Sequence, residues 1–257
     1  MLEKIFSLKG KAALITGGSR GIGRSIALTF AEAGADVVVS SRNKRPPELE
    51  KVAEEIRAMG RKAMAIPAHV GRKEDVQNLV QKTFQEFGRI DILVNNAGAN
   101  PVLSPMVDLE EEAFEKVMEV NLKGAFLMSK AVAKEMIKRG GGRIINISSI
   151  SGLRARADGT GAYCISKAAI NMMTQVMARE LAPHNILVNA IAPGSIRTEF
   201  SRVNWTDPER RAQRIREVEL KRFGEPEEVV GLALFLASEA SSFVTGEIIR
   251  VDGGQTI

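Results

Sequence analysis

Cysteine is nearly absent from this sequence. Of 257 residues only Cys164 is one, which excludes an internal disulfide framework and any zinc site built on several thiolates. No metal site is expected, and a reducing, cytoplasmic compartment is the simplest expectation. Trp and Tyr occur once each. No apolar run approaches the ~18–20 residues of a membrane span, so no membrane partner is expected. The opening MLEKIFSLKG lacks the apolar core and cleavage residues of a signal peptide and reads as a short lead-in to the first strand. The closing Gln-Thr-Ile is no peroxisomal address. Blocks of like charge are missing too. Lys and Arg number 36 against 31 Asp and Glu, a net charge of +5, and the two signs mix along helical stretches such as KVAEEIRAMGRK. Nucleic acid is therefore not an expected partner, while a small anionic molecule remains compatible with the balance.

What is present is ordinary globular composition, 44% hydrophobic and 26% charged. Short apolar, β-branched runs read as buried strands at 12–15, 37–40, 63–67, 90–94, 143–147, 187–191 and 247–251. Helical spacing separates them at 21–33, 48–59, 73–87, 110–139, 161–181, 208–220 and 227–236. Such alternation predicts an α/β fold: a doubly wound, seven-stranded parallel sheet of Rossmann type, with helices on both faces. No linker or repeat divides the chain, so one domain over 1–257 is expected. Two irregular stretches, 100–110 and 195–208, follow strands at the carboxyl edge where ligands bind in such sheets. A substrate-loop segment is placed at about 195–220.

The first strand runs into Thr16-Gly17-Gly18-Ser19-Arg20-Gly21-Ile22-Gly23, and a helix pattern follows at once. Glycines allow a tight turn and close approach of backbone to a pyrophosphate, and the helix N-terminus offers free N–H groups to the anion. A glycine cluster alone signals only a turn. The strand before it and the helix after it point to a dinucleotide. Folds that take NAD place an acid at the end of the second strand for the ribose 2′-OH. Here that place reads Ser40-Ser41-Arg42, with no acid. Arg42, with Arg20 inside the turn, suits a 2′-phosphate. NADP(H) is the expected cofactor, with NAD(H) as the alternative. The bland reading leaves both arginines solvated.

Tyr163 and Lys167 stand four apart at the start of a helical stretch, on one face. An ammonium beside a phenol favours the phenolate, so the expectation is a lowered tyrosine pKa and a proton carrier for a carbonyl oxygen. Upstream, the apolar run Ile144-Ile145-Asn146-Ile147 delivers Ser148-Ser149 to the same sheet edge.

With these residues in hand, the chain resembles the short-chain dehydrogenase/reductase family over essentially its whole length. The resemblance rests on an ordered set: Thr16–Gly23, Asn95-Asn96-Ala97-Gly98, Asn121, Ser149, Tyr163-Cys164-Ile165-Ser166-Lys167, Pro193-Gly194 and Val251-Asp252-Gly253-Gly254. It implies hydride transfer between nicotinamide and a ketone or secondary alcohol. Tyr163 is implied as general acid/base and Lys167 as the group that lowers its pKa and binds the nicotinamide ribose. Ser149 is implied to polarise the substrate oxygen, and Asn121 to hold a relay water. Gly17, Ser19, Arg20, Gly21, Ile22 and Gly23 are implied to cradle the cofactor, with Ser41, Arg42, His69 and Val70 near its adenosine end. Asn95, Ala97 and Gly98 are implied to line that side, and Pro193, Gly194, Ile196 and Thr198 to meet the nicotinamide. A homotetramer is implied.

Finer features resemble the NADPH-dependent carbonyl reductases and retinol dehydrogenases, and also the 3-oxoacyl-carrier-protein reductases. Two positions depart from the pattern. His69 stands where many members have Asp against the adenine, and the Ser149–Tyr163 spacing is one longer than in oxoacyl reductases. Candidate substrate residues are Ser151, Arg154, Arg156, Phe200 and Trp205. The two arginines suit an anionic ketone or a thioester carrier; their bland reading is a solvated tip with Asp158 as a local partner. Phe200, Val203 and Trp205 suit an apolar lid. An oxoacyl-thioester reductase is the alternative enzyme, and a non-catalytic dinucleotide sensor the alternative of another class. His184 reads as a loop residue, Cys164 as a small buried hydrophobe, and Met172, Met173 and Met177 as packing.

Overall fold

The computed structural model describes residues 2–42 and 46–257. Seven strands form one sheet: β1 (Ala12–Thr16), β2 (Asp36–Ser41), β3 (Ala63–Pro67), β4 (Ile92–Asn95), β5 (Gly142–Ile147), β6 (Ile186–Pro193) and β7 (Ile248–Val251). Every pairing is parallel, in the order β3-β2-β1-β4-β5-β6-β7. The helices are α1 (Leu2–Phe6), α2 (Gly21–Glu32), α3 (Pro46–Ala58), α4 (Lys73–Phe87), α5 (Glu111–Met118), α6 (Gly124–Arg139), α7 (Gly161–Leu181), α8 (Arg202–Thr206), α9 (Pro208–Glu217) and α10 (Glu227–Ala237). The short lead-in expected before the first strand thus contains a short helix.

Continuous apolar strands follow from burial on both faces. Ala13, Ile15, Val37 and Val39 pack with Ile26 and Phe30 of α2, Ile56 of α3 and Leu236 of α10 on one face. Leu14, Val38 and Leu93, one residue out of phase, pack with Leu79 of α4, Met128 and Val132 of α6, and Ala178 of α7 on the other. The 110–139 stretch is helical almost throughout, but a π turn over Glu119–Lys123 separates α5 from α6. Strands build outward from β1 to β3, and β4 then returns to the opposite side of β1. That reversal parts the loops after β1 and β4 and opens a crevice at the carboxyl edge.

Candidate active site

A cleft of about 700 Å³ lies along this edge. Its first half is built by the glycine turn. Gly17 and Gly21 have φ of +66° and +53°, and a Cβ on Gly17 would lie 2.6 Å from Asn96 Nδ2. Only glycine suits such a position. Thr16 Oγ1 donates to Val94 O (3.2 Å) and accepts from the backbone N–H of Asn96 and Ala97 (3.0 and 3.1 Å). The Asn96 amide donates to Thr16 O and Gly17 O, 3.0 Å each. The turn is thereby fixed to the loop after β4. Helix α2 begins with no side-chain cap and no acid in its first turn. Its orphan N–H groups and positive dipole end are left for an anion. Arg20 and Arg42 line the same half and have no acidic partner among the described residues. A capless helix, a cradle that a Cβ would fill and two open guanidinium groups fit a dinucleotide phosphate.

Gly17, Ser19, Arg20, Gly21, Ile22, Ser41, Arg42, His69, Val70, Ala97, Gly98, Pro193, Gly194, Ile196 and Thr198 all line the cleft, as the motifs suggest. Gly23 and Asn95 do not. A Cβ on Gly23 would strike Gly17 O at 2.4 Å, so Gly23 serves the turn's own packing. Asn95 is buried, and its amide donates to Ser129 Oγ (2.8 Å) and Asn146 Oδ1 (2.9 Å). Asn146 donates in turn to Thr174 Oγ1 on α7 (2.9 Å). Asn95 therefore ties β4 to β5 and α6, and through Asn146 to α7, and Asn96 is a cleft residue that sequence reasoning missed. His69 accepts the Gly71 N–H at Nδ1 (3.2 Å) and has Lys116 Nζ 3.1 Å from Nε2. Burial, foremost, and Lys116 hold its pKa below the ordinary value.

Ser149, Tyr163 and Lys167 line the second half together. Just past the end of β5, the Ser148 hydroxyl donates to Asn171 Oδ1 on α7 (2.6 Å). Asn171 donates to Gly152 O (3.1 Å), fixing the turn after Ser149 onto α7. A Cβ on Gly152 would lie 2.6–2.8 Å from the Lys167 and Ala168 backbone, so turn and helix approach as closely as chains can. Lys167 is 5% exposed and donates to Ile147 O (2.7 Å). Burial lowers its pKa to about 8. Its Nζ sits 5.6 Å from the Tyr163 ring centre.

The Tyr163 phenol departs from expectation. Its pKa is pushed up to about 12, chiefly by burial, with the Ser149 hydroxyl pulling in the other direction. In this cleft the cost of stripping water from a phenolate outweighs the Ser149 hydrogen bond that favours it. Asn121 is placed differently from Ser149, Tyr163 and Lys167. It is 2% exposed and not in the cleft wall; its amide donates to Ala99 O (3.1 Å) and Ser166 Oγ (3.0 Å), and its Oδ1 accepts the Ala99 N–H (2.7 Å). With both donors and the acceptor engaged, the side chain holds the loop after β4 against the π turn and α7.

Of the candidate substrate residues, Ser151, Arg156 and Phe200 line the cleft; Arg154 and Trp205 do not. Arg154 is exposed beside the cleft. Trp205 Nε1 donates to Thr198 O (2.9 Å), bracing α8 against the loop after β6. Phe200 faces Tyr163 at 5.9 Å between ring centres, tilted by 41°. Arg156 donates to Asp158 (3.0 Å) and Glu217 (2.8 Å). Arg214, buried on α9, bonds the same two acids, and Gln255 donates to Glu217 (3.1 Å). This network joins the loop before Tyr163 to α9 and the C-terminus; its Arg156–Asp158 part was expected as a local pairing, whereas the links to Arg214, Glu217 and Gln255 escaped the sequence reading. His184 is exposed. Among the described residues no helix is long and apolar enough to cross a membrane, and no cluster of three or more His, Cys, Asp or Glu is placed to hold a metal.

Known proteins match this arrangement. A family profile described as enoyl-(acyl carrier protein) reductase matches residues 17–256. Human dehydrogenase/reductase SDR family member 4 is 41% identical over 247 residues, 96% of this chain and 88% of the relative. An NAD-dependent glycerol dehydrogenase of Listeria innocua is 41% identical over 255 residues, covering 99% and 97%. The crystal structure of a gluconate 5-dehydrogenase from Burkholderia cenocepacia, in complex with NADP and tartrate, superimposes with a TM-score of 0.94 at 37% identity, covering 100% and 99%. The family profile and these relatives cover nearly the whole chain, the relatives at 37–41% identity, and the chain belongs to the short-chain dehydrogenase/reductase family of oxidoreductases.

Proposed function

We propose that the protein is an NADP(H)-dependent oxidoreductase that interconverts a ketone and a secondary alcohol. The observation that carries this reading is the convergence of Ser149, Tyr163 and Lys167 on one wall of a cleft whose other end holds Arg20 and Arg42. Bound in the first half, the nicotinamide cofactor supplies or accepts the hydride. Gly17, Ser19, Gly21 and Ile22 hold its phosphates at the N-terminus of α2, and Arg42 with Arg20 meets a 2′-phosphate. Pro193, Gly194, Ile196 and Thr198 flank the nicotinamide. Ser149 donates to the substrate oxygen, and Tyr163 delivers or removes the proton there. A phenol held at about 12 is a proton donor throughout the neutral range, which suits reduction. Lys167 positions that phenol from below its ring. Asn121 acts as a positioning residue, keeping the π turn and α7 in register.

The relatives are named for NAD in one case and bound to NADP in another, and for glycerol and gluconate as substrates. They support the reaction class and leave cofactor choice to the residues at the end of β2. The thioester alternative drew on Arg154 and Arg156; the first is outside the cleft and the second is paired, which favours a free carbonyl. The sensor alternative has no use for an intact Ser-Tyr-Lys wall. Self-association is part of the proposal, supported by exposed Phe126 on α6 and Met172 and Val176 on α7, as is a single catalytic unit in the cytoplasm, supported by the lone cysteine.

A paired fluorescence titration tests the reading. NADPH is expected to bind at least tenfold more tightly than NADH, with Arg42→Ala abolishing the difference. Tyr163→Phe is expected to lower ketone turnover by about 10²–10⁴ while NADPH binding survives. Equal NADH binding refutes the phosphate assignment, and full turnover by the phenylalanine variant refutes the proton role.

A further inference from the structure

Three arginines face the substrate half of the cleft, and two of them are neutralised. Arg156 and Arg214 share Asp158 and Glu217. Arg210 lines the same wall, half-buried, and no acid pairs with it among the described residues. Only its backbone N–H is engaged, donating to Asp207 Oδ1 (2.9 Å) as part of the cap of α9. Arg210 and Arg214 are one helical turn apart and so share a face of α9. Because Arg214 bonds Asp158, five residues before Tyr163, that face looks onto the reacting side of the cleft and away from the glycine turn. The one acid of the α8 approach that lines the cleft, Glu199, already faces Arg202 at 3.6 Å. The same cleft carries two apolar side chains, Phe200 beside the Tyr163 ring and Val203.

We infer that Arg210 is an anion-reading residue and that the substrate is an oxo acid: a carbonyl placed at Ser149 and Tyr163, an apolar body against Phe200 and Val203, and a carboxylate on the Arg210 guanidinium. The inference rests on the ketone/alcohol reading above and adds the substrate's charge. A guanidinium fork matches a carboxylate with two parallel hydrogen bonds and is less costly to strip of water than an ammonium. Neutral ketones offer it nothing, so selection acts on the charge and not on the reacting carbon.

Matched substrates test this. Oxo acids from 4-oxopentanoate to 8-oxononanoate, each with its methyl ester, are assayed with NADPH. Wild type is expected to favour the acid over its ester by at least tenfold in kcat/KM at the best chain length. Arg210→Ala is expected to lower that ratio at least tenfold, and Arg210→Lys to restore part of it. Arg154→Ala removes the same charge outside the cleft and keeps the wild-type ratio, which separates a local contact from long-range attraction. A wild-type ratio near one, or a ratio unchanged in Arg210→Ala, overturns the proposal. Calorimetric titration of the acids and esters into the enzyme–NADP⁺ complex reads binding without turnover. Arg210-dependent binding of acids with no reduction of any ketone leaves the anion site standing and refutes the ketone reading; binding of acids and esters alike refutes the anion site alone.

Discussion

Lys167→Met is expected to give a more stable protein that does no chemistry. Lys167 is 5% exposed and burial drops its pKa from 10.5 to about 8. An unfolded lysine takes its proton below pH 10.5, the folded one only below about 8. The folded state therefore bears the full cost of a buried ammonium below pH 8, and that cost fades as pH rises toward 10.5. At about 1.4 kcal/mol per pH unit the cost is about 3 kcal/mol. Methionine removes it and fills similar volume, but forfeits the 2.7 Å bond to Ile147 O, worth about 1 kcal/mol. The net gain is about 2 kcal/mol at neutral pH, or roughly 4–8 °C in Tm for a chain of this size. Thermal unfolding followed by circular dichroism, with urea midpoints, at steps from pH 7 to 10.5 measures it. The Tyr163 phenol, held at about 12, stays protonated in both proteins over this window, so the difference between them isolates the lysine. A variant less stable than wild type at pH 7, or a gap that does not shrink by pH 10.5, refutes the reasoning.

Two further substitutions probe the frame around the site. Gly152→Ala places a Cβ 2.6–2.8 Å from the α7 backbone; overpacking of about 1–3 kcal/mol and a fall in kcat are expected, and a urea midpoint unchanged from wild type refutes the close approach. Asp158→Ala leaves Arg156 and the buried Arg214 to share Glu217 alone. A loss of about 2 kcal/mol, smaller than for a fully buried pair because Asp158 is 18% exposed, should appear as a Tm lowered by several degrees. An unchanged Tm contradicts a stabilising network.

The fold was legible because its signals are local. The apolar spacing of 73–87 and 161–181 coincides with α4 and α7, and the strands differ from expectation mainly at their ends. Ladder pairing continues past the last apolar residue, as at Thr16, Asn95 and Pro193, which no pattern of hydrophobicity marks. The π turn at Asn121 was invisible, since it keeps helical spacing on either side. At the site, residue types and spacing sufficed to bring Ser149, Tyr163 and Lys167 together, but not to give the sign of the tyrosine's pKa. That sign depends on how much water the fold removes, and Tyr-x3-Lys does not encode it. Asn95 and Asn96 look equivalent in sequence; strand alternation buries the first and turns the second to the cleft. The Arg214–Asp158 pair spans 56 residues and no local window contains it.

Helix α9 has one buried residue, and that residue is an arginine. The outer wall of the substrate cleft is thus fastened by charge, through Asp158, Glu217 and Gln255, while the sheet's two hydrophobic cores lie elsewhere. Residues on its cleft face can change in size or sign with little effect on the cores that keep the protein folded. An ancestor with this plan is free to trade one substrate for another at α9 while its hydride machinery stays intact, so divergence among such enzymes is expected to concentrate there and to spare Ser149, Tyr163 and Lys167.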